Sequence, residues 1–198
     1  MSNSDLERRV ARIEARERIE AVMAEYLYLA DRDPDPDRIA ALFTAEAIWE
    51  PRGNLAVEQV PTHGREAIRD LFAALPQTMS FGAHFITNAV VEVAADLASA
   101  HGRWHTLELL TKENPTVEIF QLAWYENDFV REGEEWKISH VRFEDSLSFP
   151  YTEGWGETRF VSLVSGESFP WPGPAFGGAG SGGAATGAGS GGGAGSDA

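Results

Sequence analysis

Apolar residues recur at helical spacing through the first thirty positions. Leu6, Val10 and Ile13 begin the stripe, and Ile19, Val22, Met23, Tyr26, Leu27 and Ala30 continue it, with the three-to-four-residue period of one helix face. Ser4 and Glu7 have the spacing of a capping box at its start, and Pro34 and Pro36 end it near Asp31. Up to Arg18 the stretch is so charged that only a narrow seam can be buried, so this end is expected to cross the domain or meet another subunit. Asp35 and Pro36 open a second, short helix that turns Ile39, Leu42 and Phe43 inward. Ala47, Ile48 and Trp49 read as a short strand, residues 52–63 as a loop, and Gly64 to Leu75 as a third helix with Ile68, Leu71, Phe72 and Leu75 at core spacing.

After Pro76 the period changes from helical to extended. Strands are expected at Ala83–Val93, Ala98–Leu110, Val117–Val130 and Trp136–Ser146, separated by turn signals at Asp96, Asn114-Pro115 and Glu132-Gly133-Glu134. Three helices followed by long antiparallel strands make an α+β domain with helices on one sheet face. A strongly curved sheet of this kind leaves a cavity against its helices, a usual ligand site.

Composition trims this picture at its ends. Residues 177–198 consist of Gly, Ala, Ser, Thr and one Asp and hold 11 of the 20 glycines. Such a segment cannot offset its ordering entropy and is expected to be a disordered tail. The domain is then residues 1–148, followed by an aromatic strap over 149–176 that carries Phe149, Tyr151, Trp155, Phe160, Phe169 and Trp171. Such aromatic density suits a segment packed over the domain's mouth, onto a neighbouring subunit, or simply onto its own domain.

The formal charge of −15 disfavours nucleic acid and anionic lipid surfaces as partners. The chain has no cysteine, which excludes disulfides, thiolate catalysis and cysteine metal sites. No apolar run reaches the roughly 20 residues of a membrane span, and the charged N-terminus lacks a signal-peptide core. A cytoplasmic protein is expected.

The element order resembles the SnoaL-like branch of the nuclear transport factor 2-like superfamily. The resemblance spans about residues 5–146 and rests on five short motifs: Tyr26 with Asp31, Leu42-Phe43 with Ala47 and Trp49, Gly64-Arg65-Glu66 with Ile68, His84 with Asn88, and Trp136-Lys137-Ile138. It implies a cone-shaped, cystatin-like domain, with a curved mixed or antiparallel sheet and three helices enclosing a pocket. Within the branch the chain is similar to the dehydratases, among them bile-acid 7-alpha-dehydratase and scytalone dehydratase. That similarity implies a catalytic set of Tyr26, Asp31, His84, Glu108 and Arg142. The fourth is a departure, because the bile-acid enzyme carries Asp where this chain has the longer Glu108.

Elimination beside a carbonyl needs a base to take a proton and an acid to help a hydroxyl leave. Histidine suits the first role, with an ordinary pKa of about 6.5, and a carboxylate on its second nitrogen fixes the tautomer. Asp31 with His84 fits if the first helix lines the cavity. Tyr26 is offset from Asp31 by about 140° at 100° per residue, so the two flank a wall rather than share a face. A phenol there would donate to an enolate oxygen or departing hydroxyl, and Arg142 would hold a substrate carbonyl or carboxylate. Each residue also has a purely structural reading: Tyr26 as core, Asp31 as a helix-end cap, His84 as a satisfied core histidine, Arg142 in an ion pair with Glu144 or Asp145.

Trp49, Phe85, Trp104 and Trp124, with Asn88, are the candidate ligand contacts, and Phe81 and Phe120 add to the apolar walls. His101 and His105 share one strand face, opposite Trp104 and Glu108. If Trp104 marks the pocket face, both point away from it and no metal site is expected. His140 shares its expected face with Ile138 and Arg142, which makes it a second pocket candidate. His63 reads as a loop residue.

The expected activity is a cofactor-free dehydratase acting on a hydrophobic cyclic hydroxy-carbonyl compound such as a steroid or polyketide. The alternatives are an isomerase or cyclase using the same base, or a non-catalytic binding domain. By analogy with the superfamily, a homo-oligomer (dimer or trimer) is expected.

Overall fold

A computed structural model describes residues 2–155 and 158–169. Met1, Pro170–Phe176 of the strap and the 177–198 tail lie outside the described residues. Helix α1 spans Asn3–Arg32. Its cap is Ser2 with Asp5 rather than Ser4 with Glu7, because the same reciprocal geometry is available two residues earlier and Glu7 instead accepts from the Asn3 amide. Ala15, Ile19, Met23, Tyr26, Leu27 and Leu29 are its buried side chains. Leu6, Val10 and Ile13 stay exposed, while Arg12 of the same end reaches the Val93 carbonyl of the sheet.

Helix α2, Pro36–Ala41, is capped by Asp35, whose Oδ1 accepts from the amides of Asp37 and Arg38. Strand β1 runs over Phe43–Gly53, longer than its three-residue signal. The expected loop at 52–63 holds a one-turn helix α3, Leu55–Glu58, and a two-residue strand β2, Thr62–His63. Helix α4, Arg65–Ala74, follows. Four long strands come next: β3 Met79–Val93, β4 Ser99–Lys112, β5 Val117–Glu132 and β6 Glu135–Pro150. The short β7, Phe160–Val161, and β8, Ser168–Phe169, form a separate ribbon.

The main sheet has the order β2-β1-β6-β5-β4-β3. All its neighbours are antiparallel except β1 and β6, which run parallel. Helices pack on one face only, and strict alternation along β4 records it: Ala100, Gly102, Trp104, Thr106, Glu108, Leu110 and Lys112 are buried, while Arg103, His105 and Leu109 are exposed. The core between helices and sheet includes Ile19, Met23, Phe43, Ile68, Phe129, Ile138 and Val141. Each such side chain contributes roughly 1.5–3 kcal/mol by leaving water. Among the described residues, no helix is long and apolar enough to cross a membrane.

Among the breaks in strand register, two decide where candidate site residues face. One shifts the β5–β6 register between Asp128 and Phe129, so Val141, Phe143 and Asp145 turn inward while His140 and Arg142 turn outward. The other interrupts the β3–β4 pairing between Thr87 and Val90, where Asn88 adopts φ 55°.

Candidate active site

The helices and the inner sheet face enclose a cavity of about 340 Å³. Tyr26 and Asp31 of α1, Trp49 of β1, Leu71 and Phe72 of α4, Gly82 and His84 of β3, Glu108 of β4, Gln121 of β5 and Phe143 of β6 are among its lining residues. Leu55 and Gln59 from the α3 turn and Leu163 from the segment after β7 complete parts of the wall.

Asp31, in the last turn of α1, reaches β3 with both carboxylate oxygens. His84 Nδ1 lies 2.5 Å from Oδ1, and the His84 backbone N–H donates to Oδ2 at 2.8 Å. An ionised carboxylate only accepts, so Nδ1 carries the proton and Nε2 is the free nitrogen of the neutral ring. That nitrogen lies 3.6 Å from Glu108 Oε2. Burial works to lower the His84 pKa, but the Asp31 hydrogen bond and the Glu108 charge outweigh it, and the net shift is upward. Burial pushes the Glu108 carboxyl up to about 7, against the opposing influence of His84. The two groups therefore titrate as a coupled pair. Glu108 is 2% exposed, and its Oε1 has no hydrogen-bond partner among the described residues.

Tyr26 is buried against Phe43, Phe72 and Tyr125 in edge-to-face contacts. Its hydroxyl accepts from Trp49 Nε1 at 3.1 Å and is also hydrogen-bonded with the Tyr125 hydroxyl. Burial holds its pKa far above the ordinary phenol value, so Tyr26 stays a neutral donor at any physiological pH. Trp49 stacks on Phe143 with ring centroids 6.1 Å apart.

Tyr26, Asp31, His84, Glu108 and Trp49 thus meet at one cavity, and the other candidates lie elsewhere. Arg142 is on the outer sheet face, donating to Asp128 at 2.7 Å and lying 2.9 Å from His140 Nδ1. His140 in turn lies 2.7 Å from Glu50. Neither Glu144 nor Asp145 neutralises Arg142, and the bulge before His140 is what reverses its face. Trp124 is also outside, 47% exposed, with its ring against His105. Phe85 is 53% exposed on the outer face, one residue out of phase with His84. Asn88, displaced by its bulge, pairs with His105 at 3.3 Å. Trp104 is inward but buried beyond the cavity, folded over Gly102 and against Phe129.

Gln121 and Asp145 are inward polar residues that sequence reasoning missed. Asp145 accepts from the Leu55 amide at 3.1 Å and fixes the α3 turn that carries part of the cavity wall. Burial raises its carboxyl to about 6. Gln121 alternates with the buried Ile119, Ala123 and Tyr125, so a polar residue in that apolar series was the available signal.

The model of the SnoaL-like domain family matches residues 11–142, and the chain belongs to that family. Solved structures with the same fold include hexachlorocyclohexane dehydrochlorinase LinA-type3 from Novosphingobium barchaimii LL02. It is 21% identical, with 77% of this chain and 98% of that chain covered and a TM-score of 0.64. A scytalone dehydratase-like protein from Novosphingobium aromaticivorans is 18% identical over 71% of this chain and 90% of its own, with a TM-score of 0.62. An NTF2-like protein with a cystatin-like fold from the same organism is 22% identical over 73% and 90%, with a TM-score of 0.59. No curated protein matches the chain by sequence.

Proposed function

We propose that the chain is a hydro-lyase that removes water from a hydrophobic cyclic hydroxy-carbonyl compound, such as a steroid or polyketide, without a cofactor. The observation that carries this reading is the line Asp31–His84–Glu108 along one wall of a largely apolar cavity. His84 Nε2 takes the proton from the carbon beside the carbonyl. The C–H electrons form the new C=C bond, the C–O bond breaks, and Glu108, as the neutral acid, protonates the departing hydroxyl to give water. Tyr26 donates to the carbonyl oxygen as negative charge builds there. At the end His84 is an imidazolium and Glu108 a carboxylate, and the proton passes from Nε2 to Oε2 to restore the starting state. Every proton has a named carrier.

Dehydrochlorination is a second reading, because halide leaves without a proton and Asp31 with His84 would suffice. The raised pKa of buried Glu108 favours the hydroxyl, which needs the acid. The same base would also serve an isomerase. The exposed Phe85, Leu122 and Trp124 of the outer face support a working homo-oligomer.

To test the reading, purified protein is incubated with a panel of cyclic β-hydroxy ketones and products are read by mass spectrometry. Loss of one water, abolished in His84→Ala, is the expected result. Recovery of every compound unchanged, or dehydration that survives His84→Ala, overturns it.

A further inference from the structure

Part of the cavity wall comes from a residue that belongs to neither the helices nor the main sheet. Leu163 lies in the turn between β7 and β8, yet it lines the cavity. It packs against both the main core and the smaller cluster of Leu110, Ile119 and Val161. Four hydrogen bonds converge on the residue before it. The buried Ser162 hydroxyl accepts from the Val164 and Ser165 amides at 3.1 and 2.7 Å. The Gly166 amide donates to the Ser162 carbonyl, and the Ser162 amide donates to the Glu167 carbonyl, each at 2.9 Å. A serine bonded to its own turn in this way fixes the local backbone, and so fixes the direction in which Leu163 points.

Alternation along β4 relates Leu163 to the chemistry. Glu108 and Leu110 are successive inward residues, and both line the cavity. They stand roughly 7 Å apart along the strand. In the opposite direction Thr106 and Trp104 are buried but line no part of the cavity, so close-packed core shuts it there. Room for a substrate therefore extends from Glu108 towards Leu110. Leu163 packs against the Leu110 cluster at that end, and it is itself only half-buried, as a side chain standing between cavity and solvent must be.

We propose that Leu163 is a specificity-determining residue, which sets how long a ring system the cavity accepts beyond Glu108. The proposal rests on the elimination reading above for the position of the reacting carbon, whereas the length limit is a matter of volume alone. The cavity of about 340 Å³ is at the small end of the ~300–1,000 Å³ of ligand sites. The isobutyl group of Leu163 fills space that a further ring would need, and steric overlap of this kind rejects the longer ligand. The substrate class selected is a bicyclic or tricyclic ketone rather than a four-ring steroid.

The test uses the full chain and three ketones of increasing length without a leaving group, titrated by calorimetry: 2-tetralone, a tricyclic tetrahydrophenanthrenone and androstenedione. Wild type should bind the four-ring ketone roughly tenfold or more weakly than the three-ring one. Leu163→Ala should bring those two within about threefold of each other, and Leu163→Phe should weaken the three-ring ketone about tenfold. The two-ring ketone should bind both variants within about threefold of wild type. Leu163→Met conserves volume and should keep the wild-type order. Leu163→Phe carries the test alone if Leu163→Ala lowers thermal stability. Affinities that move together for all three ketones mean a merely structural side chain and overturn the proposal. Equal binding of the three by wild type, or no binding of any at millimolar concentration, also overturns it. His84→Ala should lose turnover and keep the length limit, so the limit and the elimination chemistry fail by separate measurements.

Discussion

Asp31 holds His84 at two points, ring and backbone, with the two oxygens of one carboxylate. Replacing the carboxylate by an amide keeps the shape and removes the charge. Asp31→Asn should therefore lower kcat by about a thousandfold, within the range seen when a base loses its orienting acid. The His84 imidazole should titrate at lower pH than in wild type, as read by NMR. A kcat within threefold of wild type would count against the pair.

Glu108→Gln separates the acid from the base. A carboxamide cannot protonate a leaving hydroxyl, so dehydration should fall by about 10²–10⁴-fold. Elimination from an analogue carrying a good leaving group in place of the hydroxyl should be retained. Equal losses on both substrates would remove Glu108 from the acid role.

Stability should depend on pH in an unusual direction. Glu108 has a folded-state pKa raised from 4.5 to about 7, and the His84 shift is also upward. Groups with raised pKa values bind protons more tightly when folded, so their contribution is full below the unfolded values and is lost as pH rises through the folded ones. Between about pH 4.5 and 7, wild type should lose stability relative to Glu108→Gln by something on the order of 1–3 kcal/mol. Urea midpoints of the two proteins measured across that window check the sign. A difference that widens in the opposite direction is the disproof.

A Cβ on Gly102 would overlap two ring carbons of Trp104. Gly102→Ala should therefore cost about 1–3 kcal/mol by overpacking, with an unchanged urea m-value. Trp104→Ala should cost about 3–5 kcal/mol, although Trp104 lines no part of the cavity.

Arg142→Ala tests the outward placement. Its partners Asp128 and His140 share the outer face, so kcat/KM should stay within about twofold of wild type, with a stability change of roughly 1 kcal/mol or less. A drop of a hundredfold would place the guanidinium in the chemistry after all.

The helical periods and the switch to extended segments at Pro76 were legible because burial on one side imposes a period on each element. Tyr26, Asp31, His84 and Glu108 are brought together by the resemblance to the dehydratases, with Glu108 as its departure, and not by spacing along the chain. The same resemblance misplaces Arg142, because one unpaired residue before His140 reverses the faces of β6 from His140 to Asp145, up to a second register shift, and a bulge leaves no mark in alternation alone. Phe85 and Trp124 fail for a related reason: which side of a strand meets the helices is a matter of tertiary packing. Gln121 was missed although it alternates with apolar Ile119, Ala123 and Tyr125, and only cross-strand register sets it beside Glu108.

Strand β3 is the last in the sheet, and an edge strand offers unpaired amides to any passing chain. The bond from the His84 amide to Asp31 occupies one of those donors at the middle of the exposed rim. The same carboxylate that orients the imidazole therefore shields the sheet against strand addition. Loss of Asp31 would free that one amide together with the imidazole, so edge pairing and chemistry meet in one side chain.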